Sequence, residues 1–201
     1  MKRPLLITFL ELTFFRVWFS RLYRVELRHT DRIPPDGPAI LVANHESLVD
    51  PWFLSLSTPR PVRYMAKAEL FRPPVLRTVM KWFGTFPVER GSGDRAAVGR
   101  AADLLAEGQI LGMFPQGTHR KDRPRPWLRG AARLAIATGT PIIPVAIVDS
   151  EGVLRTHPVR LGRPRVRVIV CEPIAVEKGA HTIAAAKELT ARIERAVEDA
   201  R

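Results

Sequence analysis

Short apolar runs alternate with segments of helical periodicity along most of this chain, and the alternation constrains its fold more than any other feature. Most of these runs are rich in Val, Ile, Leu or Ala and are followed by polar or turn-forming residues. Runs of this kind are typical of strands that are buried on both faces of a sheet. The predicted strands are Ala39–Ala43, Val62–Ala66, Thr85–Val88, Ile110–Phe114, Ile142–Val148 and Arg165–Cys171.

Five segments between and after these runs have helical character. The last of them carries aliphatic residues on roughly one face, as expected for a helix packed against a core. Gly108 and Gly139 follow the ends of two others, where glycine often terminates a helix. The alternation indicates one α/β domain with a mostly parallel central sheet flanked by helices. The predicted helices are Pro51–Ser57, Pro73–Phe83, Arg95–Ala106, Gly130–Ala137 and Thr182–Ala200.

The composition suits a single folded domain with a strong positive charge. The chain has 201 residues, of which 46% are hydrophobic, so it can bury a real core. It has 32 Lys and Arg against 20 Asp and Glu, a formal net charge of +12. Such a field attracts polyanions, which could be nucleic acid, an anionic membrane or phosphorylated small molecules. The single cysteine, Cys171, excludes an internal disulfide framework and a cysteine-based zinc site, and the histidines lack metal-ligand spacing.

The N-terminal stretch RPLLITFLELTFFRVWFSRLY mixes aromatic and aliphatic residues with charges. Glu11, Arg16 and Arg21 interrupt it, so it holds no run of about 18 uncharged apolar residues that could span a bilayer. No small-residue cleavage site of a signal peptide follows. We predict an amphipathic helix in the membrane interface, with a helix packed on the core as the alternative. The predicted organisation is a membrane-interface helical segment over 1–30 and an α/β domain over 31–201.

The motif NHESLVD, residues 44–50, directly follows the first predicted strand. Ligands of parallel α/β sheets collect beyond the carboxyl ends of strands, so His45 and Asp50 are candidate catalytic residues. A histidine can transfer a proton near neutral pH, and a nearby carboxylate can hold its ring in one tautomer. Asp50 also precedes Pro51, where it would serve equally well as a helix cap. Taken alone, the pair is ambiguous.

NHESLVD is one of four motifs in a fixed order, each at a predicted junction between strand and loop. The others are GTFPVERG at 84–91, FPQGTHR at 114–120 and TPIIPVAI at 140–147, and MAKAELF at 65–71 lies between the first two. Together they resemble the four sequence blocks of the glycerolipid acyltransferase family, the PlsC-like 1-acyl-sn-glycerol-3-phosphate acyltransferases. The resemblance extends over most of the predicted α/β domain, up to the end of the fourth motif.

The resemblance implies an acyl transfer reaction. In this reaction His45 is the general base that takes the proton of an acceptor hydroxyl as it attacks an acyl thioester, and Asp50 orients the imidazole. It implies no metal and no bound cofactor, because the thioester of the co-substrate, acyl-CoA or an acyl carrier protein, is already activated. A covalent acyl-enzyme is not required, and neither Ser47 nor Ser92 lies in a GxSxG context.

The second and third motifs imply a site for the acceptor and its phosphate. Arg90 is similar to the family's phosphate-binding arginine, and a glycine follows it where the backbone can approach closely. The third motif departs from the family's commonest pattern, because Gln116 and His119 stand where glutamate and arginine are usual. This departure keeps other acceptors open without changing the implied chemistry. The implied acceptor- and phosphate-binding residues are Arg90, Gln116, Gly117, Thr118 and Arg120.

We therefore expect an acyltransferase of phospholipid biosynthesis at the cytoplasmic face of a bacterial cell membrane. Its expected partners are a lipid substrate, an anionic membrane surface and, if the donor is not acyl-CoA, an acyl carrier protein. The favoured acceptor is 1-acyl-glycerol-3-phosphate, giving phosphatidic acid; the alternatives are another lysophospholipid, glycerol phosphate, a lyso-aminolipid or a glycolipid, or a catalytically silent membrane-binding relative. A nucleic-acid binder is not expected, because the aromatic residues concentrate at the N-terminus rather than along a basic groove.

Overall fold

The computed structural model describes residues 17, 20–74, 77–78, 80, 84–88, 95–117, 126–153, 165–179 and 182–201. These residues form one seven-stranded mixed sheet with helices packed against both faces. The strands are β1 (Glu26–Arg28), β2 (Ala39–Ala43), β3 (Val62–Lys67), β4 (Thr85–Val88), β5 (Ile110–Met113), β6 (Ile142–Val148) and β7 (Arg167–Val170). The helices are α1 (Asp50–Leu56), α2 (Arg95–Ala106), α3 (Gly130–Thr138) and α4 (Ile183–Asp199), with short 3-10 turns at Thr30–Arg32, Ala68–Phe71 and Ser150–Gly152.

The strands follow the order β1-β7-β6-β2-β5-β3-β4. The five strands from β6 to β4 run parallel, β7 is antiparallel to β6, and β1 pairs parallel with β7 at the edge of the sheet. The predicted α/β class with a mostly parallel sheet is therefore confirmed. All six predicted strands are present, with small differences at some of their ends.

Strand β1 corrects the predicted domain boundary. The sequence predicts an α/β domain that starts at residue 31, but Glu26–Arg28 already pairs with β7 in the sheet. Two of the three residues of β1 are charged, so it lacks the apolar run that marks the other strands. Charged side chains are tolerated there because β1 is a largely exposed edge strand. The α/β domain therefore begins before residue 31.

The central strands β2 and β6 are buried along their whole length. Along β2, Ile40 and Val42 pack on one face of the sheet, and Leu41 and Ala43 pack on the other. The first face is covered by α2, α3 and α4, and the second face is covered by α1. Coverage of both faces explains why these strands read as continuous apolar runs in the sequence.

Helices α2 and α3 end at the glycines that the sequence predicts as helix terminators. Gly139 directly follows α3 with a φ of 73°, and its N–H donates to the carbonyl of Ala135 at 2.7 Å. Gly108 adopts a φ of 76° shortly after α2. Both positions require the left-handed conformation that favours glycine. Thr182 caps α4 with its side-chain oxygen, and the predicted helix over Pro73–Phe83 lies mostly outside the described residues.

The parallel arrangement brings the carboxyl ends of β2, β3, β4, β5 and β6 to one side of the sheet, which we call the carboxyl edge. The opposite side is the amino edge. The loop of NHESLVD follows β2 and the loop of FPQG follows the neighbouring strand β5, so the two motifs lie side by side. None of the helices in the described part of the chain is long and apolar enough to cross a membrane.

Candidate active site

His45 and Asp50 form a close pair at the carboxyl edge. The Nδ1 atom of His45 lies 3.0 Å from Oδ2 of Asp50; the imidazole is 15% exposed and the carboxylate is fully buried. An ionised carboxylate only accepts hydrogen bonds, so the contact places the proton on Nδ1 and the lone pair on Nε2. A partly exposed imidazole in this tautomer can take a proton from a hydroxyl. The two residues predicted to be catalytic are therefore brought together by the fold.

The carboxylate of Asp50 also organises the loop between the two residues. Its Oδ2 accepts hydrogen bonds from the backbone N–H groups of Glu46 at 2.6 Å and Ser47 at 2.7 Å. Asp50 is itself the first residue of α1, whose N-cap is Val49 and has no side-chain cap. The helix-cap alternative is therefore wrong, because the carboxylate bonds back into the loop. Its Oδ1 is buried without a partner among the described residues, so the contacts of Oδ2 must offset the burial of the charge.

Asn44 and Ser47 fasten the NHESLVD loop, residues 44–50, to neighbouring segments, a role that sequence reasoning missed. The side chain of Asn44 accepts the N–H of Ile147 and donates to its carbonyl, both at 2.8 Å, which ties the loop to β6. Ser47 donates its hydroxyl to the carbonyl of Val153 at 2.8 Å. Both side chains are buried. A polar residue directly after a wholly apolar strand is the one signal that pointed to Asn44.

Gln116 joins the third motif to the first. Its Oε1 accepts the backbone N–H of His45 at 2.6 Å, so the side-chain oxygen faces the NHESLVD loop. This contact holds the backbone of the histidine against the loop of the neighbouring strand. The sequence places Gln116 in the acceptor site but does not predict this contact, which joins residues 71 positions apart.

Two aromatic rings support the imidazole. The ring of Phe114 packs against His45 with a centroid separation of 4.5 Å and a tilt of 30°, and Tyr64 stacks on Phe114 at 6.3 Å. The hydroxyl of Tyr64 is hydrogen-bonded inside the protein, and burial raises the pKa of its phenol. Gly112 makes room for this ring, because a Cβ at that position would lie 2.3 Å from the Tyr64 side chain. Packing therefore restricts the imidazole of His45 from the side of β5.

A charged pair links the NHESLVD loop to the segment just after α4. The guanidinium of Arg201 contacts Oε1 of Glu46 through one nitrogen, and another nitrogen lies 3.2 Å from Oε1 of Glu198. The side chain of Glu46 is only 11% exposed, so Arg201 offsets a carboxylate charge that is largely removed from water. The sequence does not predict this pair, because 155 positions separate its members.

The remaining predicted site residues divide into two groups. Gly117 adopts a φ of 68°, and its N–H donates to the carbonyl of Phe114 at 3.0 Å, so it closes a turn beside the site. Arg90, Thr118 and Arg120 lie outside the described residues, as does His119.

Two further observations bear on chemistry at other positions. Cys171 is buried, its thiol donates to the carbonyl of Ala196 at 3.2 Å, and burial raises the pKa of the thiol. These contacts give it a structural role. Across the described ranges, no group of three or more His, Cys, Asp or Glu side chains could hold a metal ion.

Comparisons with known proteins agree with this geometry. The sequence model of the family described as Acyltransferase matches residues 24–148. A chloroplast 1-acyl-sn-glycerol-3-phosphate acyltransferase of Brassica napus is 30% identical over 158 residues, which cover 76% of this chain and 45% of that protein. The 1-acyl-sn-glycerol-3-phosphate acyltransferase of Bacillus subtilis (strain 168) is 32% identical over 123 residues, 61% of each chain. The crystal structure of the 1-acyl-sn-glycerophosphate acyltransferase PlsC from Thermotoga maritima has a TM-score of 0.76 at 22% identity, over 96% of this chain and 77% of that one.

Fold and site together define an α/β domain with a hydrogen-bonded histidine–aspartate pair at the carboxyl ends of parallel strands. The chain belongs to the acyltransferase family and is PlsC-like, since the family match covers more than half of it. The resemblance of the four motifs is thus confirmed. The chain spans about half the length of the first curated relatives that it matches, 45% and 44%.

Proposed function

We propose that this protein is an O-acyltransferase that moves a fatty acyl group from an acyl thioester to the hydroxyl of a lysophospholipid, with 1-acyl-sn-glycerol-3-phosphate as the favoured acceptor. The observation that carries the proposal is the His45–Asp50 pair, 3.0 Å apart, in a chain of the acyltransferase family. The names of the curated relatives support this acceptor. The product would be phosphatidic acid, a step of phospholipid biosynthesis.

In the proposed reaction His45 is the general base. Its Nε2 takes the proton of the acceptor hydroxyl while the oxygen attacks the thioester carbonyl carbon, and Asp50 stabilises the imidazolium that forms. The tetrahedral intermediate collapses with cleavage of the carbon–sulfur bond, and the imidazolium returns its proton to the departing thiolate. The imidazole ends the cycle neutral, so the reaction consumes only the two substrates.

Five residues are proposed to bind the acceptor and its phosphate: Arg90, Gln116, Gly117, Thr118 and Arg120. The geometry of Gln116 supports its part, because its oxygen is engaged by His45 and, among the described residues, its amide N–H groups have no hydrogen-bond acceptor, so they can donate to a ligand. A neutral amide donor suits a hydroxyl as well as a phosphate oxygen. This property favours a second set of candidate acceptors: another lysophospholipid, glycerol phosphate, a lyso-aminolipid or a glycolipid.

The proposed donor is acyl-CoA or an acylated carrier protein, and the proposed location is the cytoplasmic face of a cell membrane. The net charge of +12 supports both parts of the proposal. A positive surface attracts the phosphates of coenzyme A and acidic groups on a carrier protein, and it also attracts anionic lipid headgroups.

The test is an acyl transfer assay with matched histidine variants. Purified protein is incubated in detergent with radiolabelled acyl-CoA, and separately with an acylated carrier protein, over a panel of lysolipids. We expect transfer to lysophosphatidate, and a loss of about 10² to 10⁴ in rate for His45→Asn, because asparagine cannot act as a base. The control is His29→Asn, since His29 is exposed at the amino edge and asparagine suits its left-handed backbone, with a φ of 57°.

The other outcomes discriminate between the alternatives. Transfer only to another acceptor would keep the mechanism and make Gln116 a candidate specificity residue. Equal losses in His45→Asn and His29→Asn would contradict the role of the base. No transfer from either donor to any acceptor would overturn the proposed activity and favour a catalytically silent membrane-binding relative.

A further inference from the structure

Tyr64 contacts the supports of both members of the His45–Asp50 pair. It lies in β3, its side chain is buried, and it packs on the sheet face that α1 covers. Its hydroxyl donates to the carbonyl of Pro51 at 2.7 Å, and its ring stacks on Phe114 with a tilt of 15°. One side chain therefore reaches both the start of α1 and the aromatic ring beside the imidazole.

The hydroxyl of Tyr64 acts on the Asp50 side of the pair. Pro51 follows Asp50 directly in the first turn of α1, so a hydrogen bond to its carbonyl holds the backbone next to the buried carboxylate. The hydroxyl of Ser55, one turn further along α1, lies 2.7 Å from the Tyr64 oxygen and 2.9 Å from the Pro51 carbonyl oxygen. This cluster of three oxygens fastens the start of α1 to β3.

The ring of Tyr64 acts on the His45 side of the pair. Phe114 lies between the phenol and the imidazole, with 6.3 Å between its centroid and the first and 4.5 Å between its centroid and the second. A phenylalanine ring has no polar group to fix its orientation, so its position depends on the surfaces that it contacts. The phenol is a rigid surface, because its hydroxyl is bonded to Pro51. A displacement of Tyr64 would therefore reach the imidazole through one intervening ring.

Strand β5 has a glycine where the ring of Tyr64 lies. Gly112 is the residue paired with Tyr64 between β3 and β5, and a Cβ there would collide with the ring. A glycine inside a strand weakens the strand and often marks the close approach of another group. Covering Gly112 explains a large aromatic residue at position 64, but phenylalanine would cover it equally well. A buried hydroxyl is costly unless it is bonded, so its placement against the residue after Asp50 has another cause.

We propose that Tyr64 is a positioning residue for the reaction: its hydroxyl fixes the backbone beside Asp50, and its ring, acting through Phe114, fixes the imidazole of His45. The 3.0 Å contact between Nδ1 and Oδ2 then depends on one rigid side chain that contacts both supports. A small misplacement of a general base is costly in rate, so Tyr64 raises kcat without touching the substrate. This inference rests on the proposed function, because the residue that Tyr64 supports is its general base.

The decisive variant is Tyr64→Phe, which keeps the ring over Gly112 and removes only the hydroxyl. The carbonyl of Pro51 keeps the hydroxyl of Ser55 as a donor, so it does not become a buried acceptor without a partner, and the fold should be retained. We expect kcat to fall by about fivefold with KM unchanged. Tyr64→Leu removes the surface behind Phe114 as well, so its kcat should fall by about twentyfold.

Two variants of α1 are matched controls. Ser55→Ala removes a hydroxyl from the same cluster and leaves the bond between Tyr64 and Pro51 in place, so kcat should stay within about twofold of wild type. Leu56→Ala removes a buried side chain at the other end of α1, so it should lower the unfolding temperature without lowering kcat. A kcat loss in either control as large as that of Tyr64→Phe would assign the effect to a general weakening of α1 and overturn the proposal.

A nuclear magnetic resonance signal reports the geometry of the His45–Asp50 pair without turnover. The Nδ1 proton of His45 is hydrogen-bonded to a buried carboxylate, so it should give a low-field signal in isotopically labelled protein, assigned by its absence from His45→Asn. We expect Tyr64→Phe to shift or broaden this signal, whereas Ser55→Ala and Leu56→Ala should leave it unchanged. An unchanged signal in Tyr64→Phe, or a kcat equal to that of the wild type, would overturn the proposal.

The same signal separates this proposal from the proposed function. If the wild type transfers no acyl group but Tyr64→Phe changes the Nδ1 signal, the proposed function fails and the positioning of the pair by Tyr64 stands. If the wild type transfers acyl groups and Tyr64→Phe keeps the wild-type kcat and the wild-type signal, the proposed function stands and the role of Tyr64 fails.

Discussion

The loop after β2 and the loop after β5 both reach the candidate active site, but they are held in different ways. In the first loop the side chains of Asn44, Ser47 and Asp50 are buried, and each is hydrogen-bonded to backbone groups. In the second loop, Gln116 makes one contact with the first, and Phe114 supplies the surface of a ring. The first loop is therefore held by hydrogen bonds of its own buried side chains. The second loop contributes by contacting His45 through Gln116 and Phe114.

This difference follows from the tasks that we assign to the two loops. A general base must stay in one geometry relative to the reacting hydroxyl, and misplacement by a small distance is costly in rate. A loop that binds the acceptor must leave polar groups available for a ligand. The comparison predicts that substitutions in the first loop reduce catalysis strongly and that substitutions in the second reduce it in smaller steps.

The largest effect is expected for Asp50→Asn. The carboxamide cannot stabilise an imidazolium as a carboxylate does, and its NH₂ group competes for the position of Nδ1–H, so His45 is no longer held in the basic tautomer. We expect kcat to fall by about 10² or more with little change in KM. Steady-state kinetics with lysophosphatidate and acyl-CoA measure this, with thermal unfolding as the check on folding.

Ser47→Ala is the matched control inside the same loop. It removes the hydroxyl that donates to Val153 and leaves a buried carbonyl without its donor, so the free energy of unfolding should fall by about 1 to 3 kcal/mol. The kcat of the folded enzyme should stay within a few-fold of wild type. If Ser47→Ala is stably folded and its kcat falls as much as that of Asp50→Asn, the serine takes part in the chemistry.

The second loop is tested by Gln116→Ala and Gln116→Glu. Alanine removes the acceptor of the His45 N–H, and we expect kcat to fall by about tenfold, the rate equivalent of one part-buried hydrogen bond. Glutamate keeps an acceptor oxygen and is the residue usual at this position in the family, so kcat should recover with little change in KM. Steady-state kinetics over a range of acceptor concentrations separate the two parameters.

Gln109→Ala is the control for this pair, because Gln109 lies at the amino edge and bonds Arg63 and Glu107. It should leave both kcat and KM unchanged. A Gln116→Glu enzyme as slow as Gln116→Ala would contradict the idea that an acceptor oxygen against the His45 backbone is the important property.

The sequence predicts the first loop better than the second, for a physical reason. His45 and Asp50 are five positions apart and follow a strand, so local pattern and motif context are sufficient to pair them. The contact of Gln116 with His45 depends on β2 and β5 being neighbours in the sheet, although 71 positions separate the residues. The order of the strands is set when the sheet assembles. The alternation of strands and helices along the sequence does not determine it.

The same reasoning explains which parts of the fold are predictable. Strands buried on both faces, such as β2 and β6, show continuous apolar runs, and their bounds match the prediction. Strand β1 lies at the edge and has charged residues at both ends, so its sequence carries no such signal. The role of Asn44 is likewise not visible in the sequence, because it depends on the position of Ile147 in the neighbouring strand.

A smaller effect on kcat is expected for Phe114, the residue of the second loop whose ring packs against the imidazole of His45. Phe114→Leu removes the aromatic face that packs against His45, and we expect kcat to fall by about threefold while KM is unchanged. Phe86→Leu is the matched control, because Phe86 is buried in β4 on the face covered by α2. It should lower the unfolding temperature without changing kcat. Equal kcat losses in the two variants would assign the effect to general packing.

The smallest effect is expected at the outer side of the first loop, where Arg201 contacts Glu46. The contact lies outside the His45–Asp50 pair and affects kcat only through the position of the loop, so we expect Arg201→Gln and Glu46→Gln each to lower kcat by only about twofold. If the contact between the two side chains positions the loop, the double variant should be no slower than either single variant. Measuring kcat for both single variants and the double variant tests this non-additivity. Arg195→Gln, an exposed change on α4 shortly before Arg201, is the control and should have no effect. Additive losses would mean that each residue acts separately, and the first loop would then be fixed by its buried contacts alone.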